Sequence, residues 1–305
     1  MRRSNISRKD FIQMNSAILM LSSFENLLPK PIFETNMSFE LKILATNWGF
    51  NGNFDSFFER AKKDGYDGAE LWFPGTEKER NDMVSAAAKH GMLLGILFGA
   101  GEKEPQKNLD NFKVTLQAAA ALKPIYINCH SAKDYFTFEQ IKPFFDFTTQ
   151  LSKQSSIPIY HETHRGRACY SAPITRNFIE KVPELRITAD LSHWCAVHES
   201  FMEDQEETLA MVLDRTDHIH ARIGHPEGPQ VNDPRAPEWD YAVKRHLGWW
   251  DKVIERKKKK GERATILAEF GPPDYMWTLP YTRQPLSDQW AINVHMMQML
   301  RKRYS

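Results

Sequence analysis

Eight short apolar segments alternate along the chain with helical patterns, and this alternation restricts the possible folds more than any other feature. The segments are rich in β-branched residues and leucine and nearly continuous in apolarity, which is typical of parallel strands buried on both faces. Eight such repeats predict an α/β fold, the (β/α)8 TIM barrel. The predicted strands are Leu41–Thr46, Gly68–Trp72, Met92–Phe98, Ile125–Cys129, Ile157–His161, Leu185–Ala189, His218–Ala221 and Thr265–Ala268.

Local helix signals lie between these segments where the barrel requires helices. Asn53 is placed to cap the first helical pattern and Gly65 to terminate it. Two further helix starts have the residue spacing of a capping box, in which a threonine and a residue three positions later bond each other's backbone. These pairs are Thr76 with Glu79 and Thr137 with Gln140.

A doubly wound open sheet is the competing architecture for such an alternation. It would favour a glycine-rich phosphate loop after the first strand, but residues 47–52, Asn-Trp-Gly-Phe-Asn-Gly, lack that spacing. Lack of an evident phosphate loop also favours a neutral sugar over a phosphorylated one. No linker rich in proline, glycine or serine divides the chain, so residues 39–305 are predicted to form a single catalytic barrel domain.

Composition limits the possible partners. The chain has 305 residues, 41% of them hydrophobic, which is enough to bury a sizeable core. Its formal net charge of +1 gives no electrostatic case for binding nucleic acid or an anionic membrane surface. The three cysteines form neither a CxxC motif nor a paired framework, which argues against a disulfide-stapled secreted fold.

The N-terminal segment, residues 1–38, is predicted to be an arm or an export-signal-like extension outside the barrel. It begins with basic residues and continues with a weakly apolar stretch that is too short and polar to span a bilayer. Residues 7–12, Ser-Arg-Lys-Asp-Phe-Ile, resemble a twin-arginine export signal with lysine in place of the second arginine. Because of that departure, a cytoplasmic location is favoured over a periplasmic one.

Four strands are followed or ended by residue types suited to a divalent cation: Glu162, Asp190, His220 and Glu269. Active sites of these barrels lie at the C-terminal ends of the strands, so the four side chains should converge. Buried carboxylates that close together would repel one another strongly without a cation. Three carboxylates and one imidazole suit a single Mn²⁺ or Mg²⁺ ion, and the histidine also permits Co²⁺ or Zn²⁺.

The choice between the two histidines of the seventh strand follows from strand geometry. Alternation puts His218 and His220 on the same face, and His220 lies nearer the C-terminal rim. His220 is therefore predicted to be the ligand, and His218 to pack within the barrel.

Several segments resemble the metal-site strands of the xylose isomerase-like barrel superfamily, which includes sugar phosphate isomerases, epimerases and a dehydratase. They are His161-Glu162-Thr163-His164, Asp190-Leu191-Ser192-His193, His218-Ile219-His220 and Ala268-Glu269-Phe270, and residues 66–72 also fit. The resemblance implies a metal bound by Glu162, Asp190, His220 and Glu269. It further implies that Glu162 and Glu269 act as acid and base on opposite faces of the substrate.

The remaining polar residues at the strand ends are predicted to bind substrate. His164 and His193 would hold hydroxyl groups, Arg222 an oxygen or anionic group, and Glu70 and His130 would line the opposite wall. Trp239, Trp249 and Trp250, in an unusually aromatic insertion, could stack on a larger glycoside or simply pack in the core.

These residues favour a metal-dependent isomerase or epimerase of a small sugar or cyclitol. Metal chelation of a carbonyl and its neighbouring hydroxyl would acidify the C–H bond between them and stabilise an enediolate. A dehydratase or lyase acting on an oxidised sugar would use the same apparatus, and a non-catalytic sugar-binding barrel is a further alternative. The superfamily also contains an apurinic endonuclease, which the near-neutral charge disfavours. Oligomeric state is not readable from the sequence.

Overall fold

The computed structural model describes residues 38–305, which form a closed barrel of eight parallel strands. Neighbouring strands pair in sequence order, and β8 closes the barrel on β1, with Leu41 opposite Ala264. The predicted (β/α)8 TIM barrel is thereby confirmed. The strands are β1 Glu40–Ala45, β2 Gly68–Trp72, β3 Leu93–Gly99, β4 Ile127–His130, β5 Ile159–Glu162, β6 Ile187–Ala189, β7 Thr216–His220 and β8 Arg263–Leu267.

Helices connect the strands, as a right-handed parallel barrel requires. After β6 there are two, and a short 3-10 turn at Pro237–Trp239 precedes the long helix before β8. The helices are α1 Phe54–Asp64, α2 Glu77–His90, α3 Pro105–Ala121, α4 Phe138–Ser155, α5 Ala172–Lys181, α6 Leu191–Val197, α7 Glu206–Arg215, α8 Asp240–Lys260 and α9 Gln289–Tyr304.

The predicted helix caps are present. The Asn53 side chain accepts a hydrogen bond from the backbone N–H of Ser56, and Gly65 ends α1 in the left-handed conformation with φ +97°. Both capping boxes form, at the starts of α2 and α4. These caps stabilise the starts of α1, α2 and α4.

The aromatic insertion is divided between core and loop. Trp249 and Trp250 lie on α8 and are only 1% exposed, so they pack in the core and cannot stack on a substrate. Trp239 is half-buried, and its ring lies 4.9 Å from that of His225 on the loop after β7. The core-packing alternative therefore holds for two of the three tryptophans.

A small cluster inside the barrel lies below the site. Leu44, Tyr126, Tyr160 and Leu267 are buried and pack on one another, apart from the larger core between strands and helices. Gly95 on β3 makes room for the phenol of Tyr126, because a Cβ at Gly95 would lie 2.7 Å from its Cζ atom. The cluster adjoins the buried histidines of β7 through Tyr126, whose ring lies 4.3 Å from that of His218.

No helix within residues 38–305 is long and apolar enough to cross a membrane. The predicted N-terminal arm, residues 1–38, lies outside the described residues except for Ser38. Its export-signal resemblance, and with it the cytoplasmic location, stay predictions.

Candidate active site

The ends of four neighbouring strands bring the predicted metal ligands together. Glu162 is the last residue of β5 and His220 the last of β7. Asp190 directly follows β6, and Glu269 comes two residues after β8. All four side chains are buried at the C-terminal rim, because the strands are parallel and end at the same side of the barrel.

Donor atoms of three of the four side chains have the spacing expected around one ion, and Glu269 lies close to one of the three. Nδ1 of His220 lies 2.9 Å from Oε2 of Glu269 and 3.6 Å from Oε2 of Glu162. One donor atom each from Glu162, Asp190 and His220 falls within 4.8 Å of the other two. Donors that each lie about 2.0–2.6 Å from a shared metal are separated by such distances. The cluster could therefore hold a divalent ion.

Two of these atoms lack a hydrogen-bond partner among the described residues. They are Nδ1 of His220 and Oε2 of Glu269, which face each other but do not have hydrogen-bond geometry. Leaving buried polar atoms unsatisfied costs free energy, and native structures usually avoid it. A cation between the two atoms would satisfy both, so the donor set fits a metal.

The cluster is rich in negative charge. Burial alone lowers the pKa of His220, but the carboxylates of Glu269, Glu162 and Glu70 outweigh it and raise that pKa well above its ordinary value. Burial, together with the charges of Glu269 and Glu162, raises the pKa of Asp190 to about 6 despite the opposing charge of Arg222. Positive charge is therefore strongly favoured at this point, and a divalent ion would supply it.

Glu70 lies below this cluster and not in the wall of the substrate cavity. Its Oε1 is 3.0 Å from Nε2 of His220, and its Oε2 is 3.1 Å from Nε2 of His218. His218 packs within the barrel as predicted, with its ring 4.3 Å from that of Tyr126. Substrate contact by Glu70 stays a prediction, whereas its observed contacts are with the two histidines.

Asn128 on β4 is a site residue that the sequence reasoning missed. Its side-chain amide donates to Oε2 of Glu162 at 2.7 Å and lies 3.1 Å from Nε2 of His220. Alternation along β4 could have revealed it, because Asn128 is two residues before His130 and shares its face. It holds Glu162 in place together with His130, whose Nε2 is 2.9 Å from the same oxygen.

A cavity of about 300 Å³ opens beside the cluster, a size suited to a small molecule. Four predicted residues line it: His130, His164, Arg222 and Glu269. The rest of the lining was not predicted and consists of Trp48, Trp72, Leu97, Arg167 and Tyr275. Trp72 could have been found as the last residue of a predicted strand, but Arg167 and Tyr275 lie on loops with no sequence signal.

Arg222 joins the cavity to the candidate metal cluster. Its guanidinium forms an ion pair with Asp190 and lies 2.8 Å from Nε2 of His193. It also lies over the ring of Tyr275, 4.8 Å from the centroid. His193 sits behind His164, with ring centroids 3.8 Å apart, and does not itself line the cavity. Arg222 thus presents N–H donors to the cavity, while its positive charge is balanced by Asp190.

The fold and this carboxylate-rich rim define a class of barrel, and the sequence identifies the family. The model of the family described as "Xylose isomerase-like TIM barrel" matches residues 58–247, more than half of the chain. The protein therefore belongs to the xylose isomerase-like TIM-barrel family. No curated protein sequence matches it significantly.

Solved structures share the fold at low sequence identity. The 3-keto-D-glucoside 4-epimerase YcjR from E. coli superposes with a TM-score of 0.60 at 16% identity, covering 86% of this chain and 100% of that one. A sugar phosphate isomerase/epimerase from Parabacteroides distasonis gives 0.55 at 14% identity, covering 86% and 98%. The probable 3-DHS dehydratase AsbF from Bacillus anthracis gives 0.53 at 14%, covering 85% and 98%. At these identities the likenesses establish the fold alone.

Proposed function

We propose that the protein is a divalent-metal-dependent sugar isomerase or epimerase that abstracts a proton next to a carbonyl. The observation that carries this proposal is the position of Glu269. Its carboxylate lines the cavity, one of its oxygens has no hydrogen-bond donor among the described residues, and that oxygen lies 2.9 Å from His220. A carboxylate so placed is available both to a cation and to a substrate proton.

The metal would be held by Glu162, Asp190, His220 and Glu269. When bound, a divalent cation supplies Lewis-acid stabilisation of the negative charge that develops on substrate oxygens. Mixed carboxylate and imidazole donors accept Mn²⁺, Mg²⁺, Co²⁺ or Zn²⁺. Asn128 and His130 bond to Glu162, while Glu70 contacts His220, so two of the four ligands are oriented by further buried groups.

The chain supplies the acid and the base itself. Glu269 and Glu162 are the two carboxylates assigned to these roles. The third carboxylate of the cluster, Asp190, is already bound by Arg222 and Ser192. One removes the proton from the carbon next to the carbonyl, and the other delivers a proton to give the epimer or isomer. Burial of both groups excludes water, which strengthens their electrostatic effect on the reacting atoms.

The cavity wall supplies substrate contacts. His130 and His164 present imidazoles for hydroxyl groups, and Arg222 presents guanidinium N–H groups. Trp48 and Trp72 provide aromatic faces on which the apolar side of a sugar ring can stack. The fold neighbours named for sugar epimerisation and isomerisation agree with a small sugar or cyclitol as substrate.

Solvent deuterium exchange tests the proposal. Keto-sugars are incubated in D₂O with the metal-loaded protein, and products are analysed by mass spectrometry and NMR. An isomerase or epimerase incorporates one deuterium at the carbon next to the carbonyl without any other change in mass. Loss of water or of an aglycone would instead show a dehydratase or lyase using the same base. Metal-independent sugar binding without exchange or turnover would support the non-catalytic alternative.

A further inference from the structure

Two arginines line the cavity, and only one of them forms an ion pair with the described residues. Arg222 is paired with Asp190 and lies 3.8 Å from Glu269. Arg167 makes no ion pair with any of residues 38–305. The one hydrogen bond of its side chain within that range is from Nη1 to the backbone carbonyl of Ala100, at 3.3 Å. Arg167 therefore presents a guanidinium to the cavity that forms no salt bridge with residues 38–305, although the charges of Glu162 and Asp134 act on it from farther away.

A second cation lies on the neighbouring loop. Lys133 follows β4, is half-buried, and also makes no ion pair among the described residues. The two loops are joined directly, because the backbone N–H of Ala168 donates to the carbonyl of Ser131 at 2.9 Å. The fold thus places Lys133 within electrostatic range of Arg167.

Both cations are destabilised by this placement. Burial lowers the pKa of Arg167 despite the opposing charges of Glu162 and Asp134. Burial together with the charge of Arg167 lowers the pKa of Lys133 despite the opposing charges of Asp134 and Glu102. Exposed lysines and arginines avoid these costs by extending into solvent or pairing with carboxylates. A ligand anion bound between the loops would remove both the desolvation cost and the repulsion.

The subsite lies on the β5 side of the cavity, the side of Glu162, and across from Glu269. Arg167 contacts Ala100, which follows β3, and lies on the loop after β5, whereas Glu269 follows β8 on the other side of the barrel. An anionic group would be repelled by the buried carboxylates and attracted to Arg167. A substrate bearing such a group at one end would therefore bind in only one direction.

We infer that Arg167, assisted by Lys133, binds an anionic group, a carboxylate or a phosphate ester, on the substrate end that points away from Glu269. This inference rests on the proposed function, because it assigns the substrate class for the same cavity. The planar guanidinium matches both anions through two parallel N–H bonds. Phosphate binding by side chains does not need the glycine-rich loop that the sequence lacks.

Equilibrium binding of matched probes tests the inference. D-glucose, D-glucuronate and D-glucose 6-phosphate differ mainly at one end of the sugar, and their binding to the full chain can be followed by titration calorimetry. At least one charged probe is expected to bind about tenfold to a hundredfold more tightly than D-glucose, since bonds to charged groups contribute that much. Which charged probe gains identifies the carboxylate or the phosphate ester.

Variants assign the preference to the subsite. Arg167→Gln is expected to abolish it and Arg167→Lys to retain part of it, whereas Lys133→Gln weakens it less. Arg80→Gln is the matched control, because Arg80 also donates only to backbone carbonyls but lies on α2, outside the cavity. Equal or undetectable binding of all three probes, or a preference that survives Arg167→Gln in a folded variant, would overturn the inference.

The binding readout separates this inference from the proposed function. If the protein prefers the charged probes but exchanges no substrate proton, the anion subsite is supported and the isomerase proposal is contradicted. If the protein turns over neutral keto-sugars without any preference for charged analogues, the isomerase proposal is supported and the anion subsite is contradicted.

Discussion

Glu70 on β2 contacts Nε2 of His220 on β7 across the barrel, at 3.0 Å from its Oε1. The contact leaves Nδ1 of the same ring facing Glu269. Histidines that bind metals commonly use one ring nitrogen for the ion and donate the other N–H to a carboxylate. Glu70 is itself fixed by His218, 3.1 Å from its second oxygen. It is therefore placed to select the tautomer and the orientation of His220.

Replacement of Glu70 should weaken metal binding before it affects anything else. In Glu70→Gln the charge opposite the N–H of His220 is lost, and we expect metal affinity to fall about 10-fold to 100-fold. Mn²⁺ titration calorimetry on folded protein measures this directly. Glu59→Gln, an exposed change on α1, is the control. Unchanged Mn²⁺ affinity in a folded Glu70→Gln protein would leave Glu70 without the positioning role.

Glu162→Gln and Glu269→Gln should each abolish turnover with the fold largely intact. General acid or base catalysis typically contributes about 10²-fold to 10⁴-fold, and loss of a metal donor adds to this effect. The rate of solvent deuterium incorporation is the measurement, with circular dichroism to verify folding. Glu59→Gln again serves as control. The proposed mechanism is wrong if both cluster variants retain full activity.

Removal of bound metal should destabilise the barrel. Without a cation, the carboxylates of Glu162, Asp190 and Glu269 repel one another in a buried cluster. Metal at about 100 times its Kd stabilises the folded state by about 2.7 kcal/mol, which corresponds to about 5–10 °C in melting temperature for a domain of this size. Calorimetric scans with a chelator and after Mn²⁺ addition measure the shift. It should disappear in Asp190→Asn, and a melting temperature indifferent to metal in the unaltered protein would argue against the site.

Gly95→Ala should destabilise the fold through the layer below the site. The added Cβ would lie 2.7 Å from Cζ and 2.8 Å from the hydroxyl oxygen of the buried Tyr126, so the ring must shift. Overpacking of this kind costs about 1–3 kcal/mol of unfolding free energy. Urea denaturation measures it, and Tyr126→Phe in the same chain should recover part. Gly75→Ala, where a Cβ meets no atom within 4 Å, should be neutral by comparison.

The fold was predictable because the signals for it are local. The predicted second strand, Gly68–Trp72, has the observed bounds. The seventh was placed at His218–Ala221, whereas β7 runs from Thr216 to His220. Hydrophobic periodicity locates a strand, but backbone pairing with β6 and β8 determines where it begins and ends.

The convergence of the four predicted metal ligands could be foreseen for a related reason. Parallel strands of a barrel all end at one face, so residues that end several strands must lie near one another whatever the details of packing. This argument applies to Glu162, Asp190, His220 and Glu269. The same argument does not show how far below the rim a side chain lies. For this reason Glu70, two residues before the end of β2, was predicted to line the cavity wall.

By itself, the sequence determined the barrel, the rim at which chemistry can occur and the residue types that meet there, because alternation and periodicity are properties of neighbouring residues. Only the tertiary structure decided which of them face the cavity. Arg167 and Tyr275 reach it from loops whose paths depend on contacts between distant segments, and Glu70 lies beneath His220 because of the tilt and register of strands across the barrel.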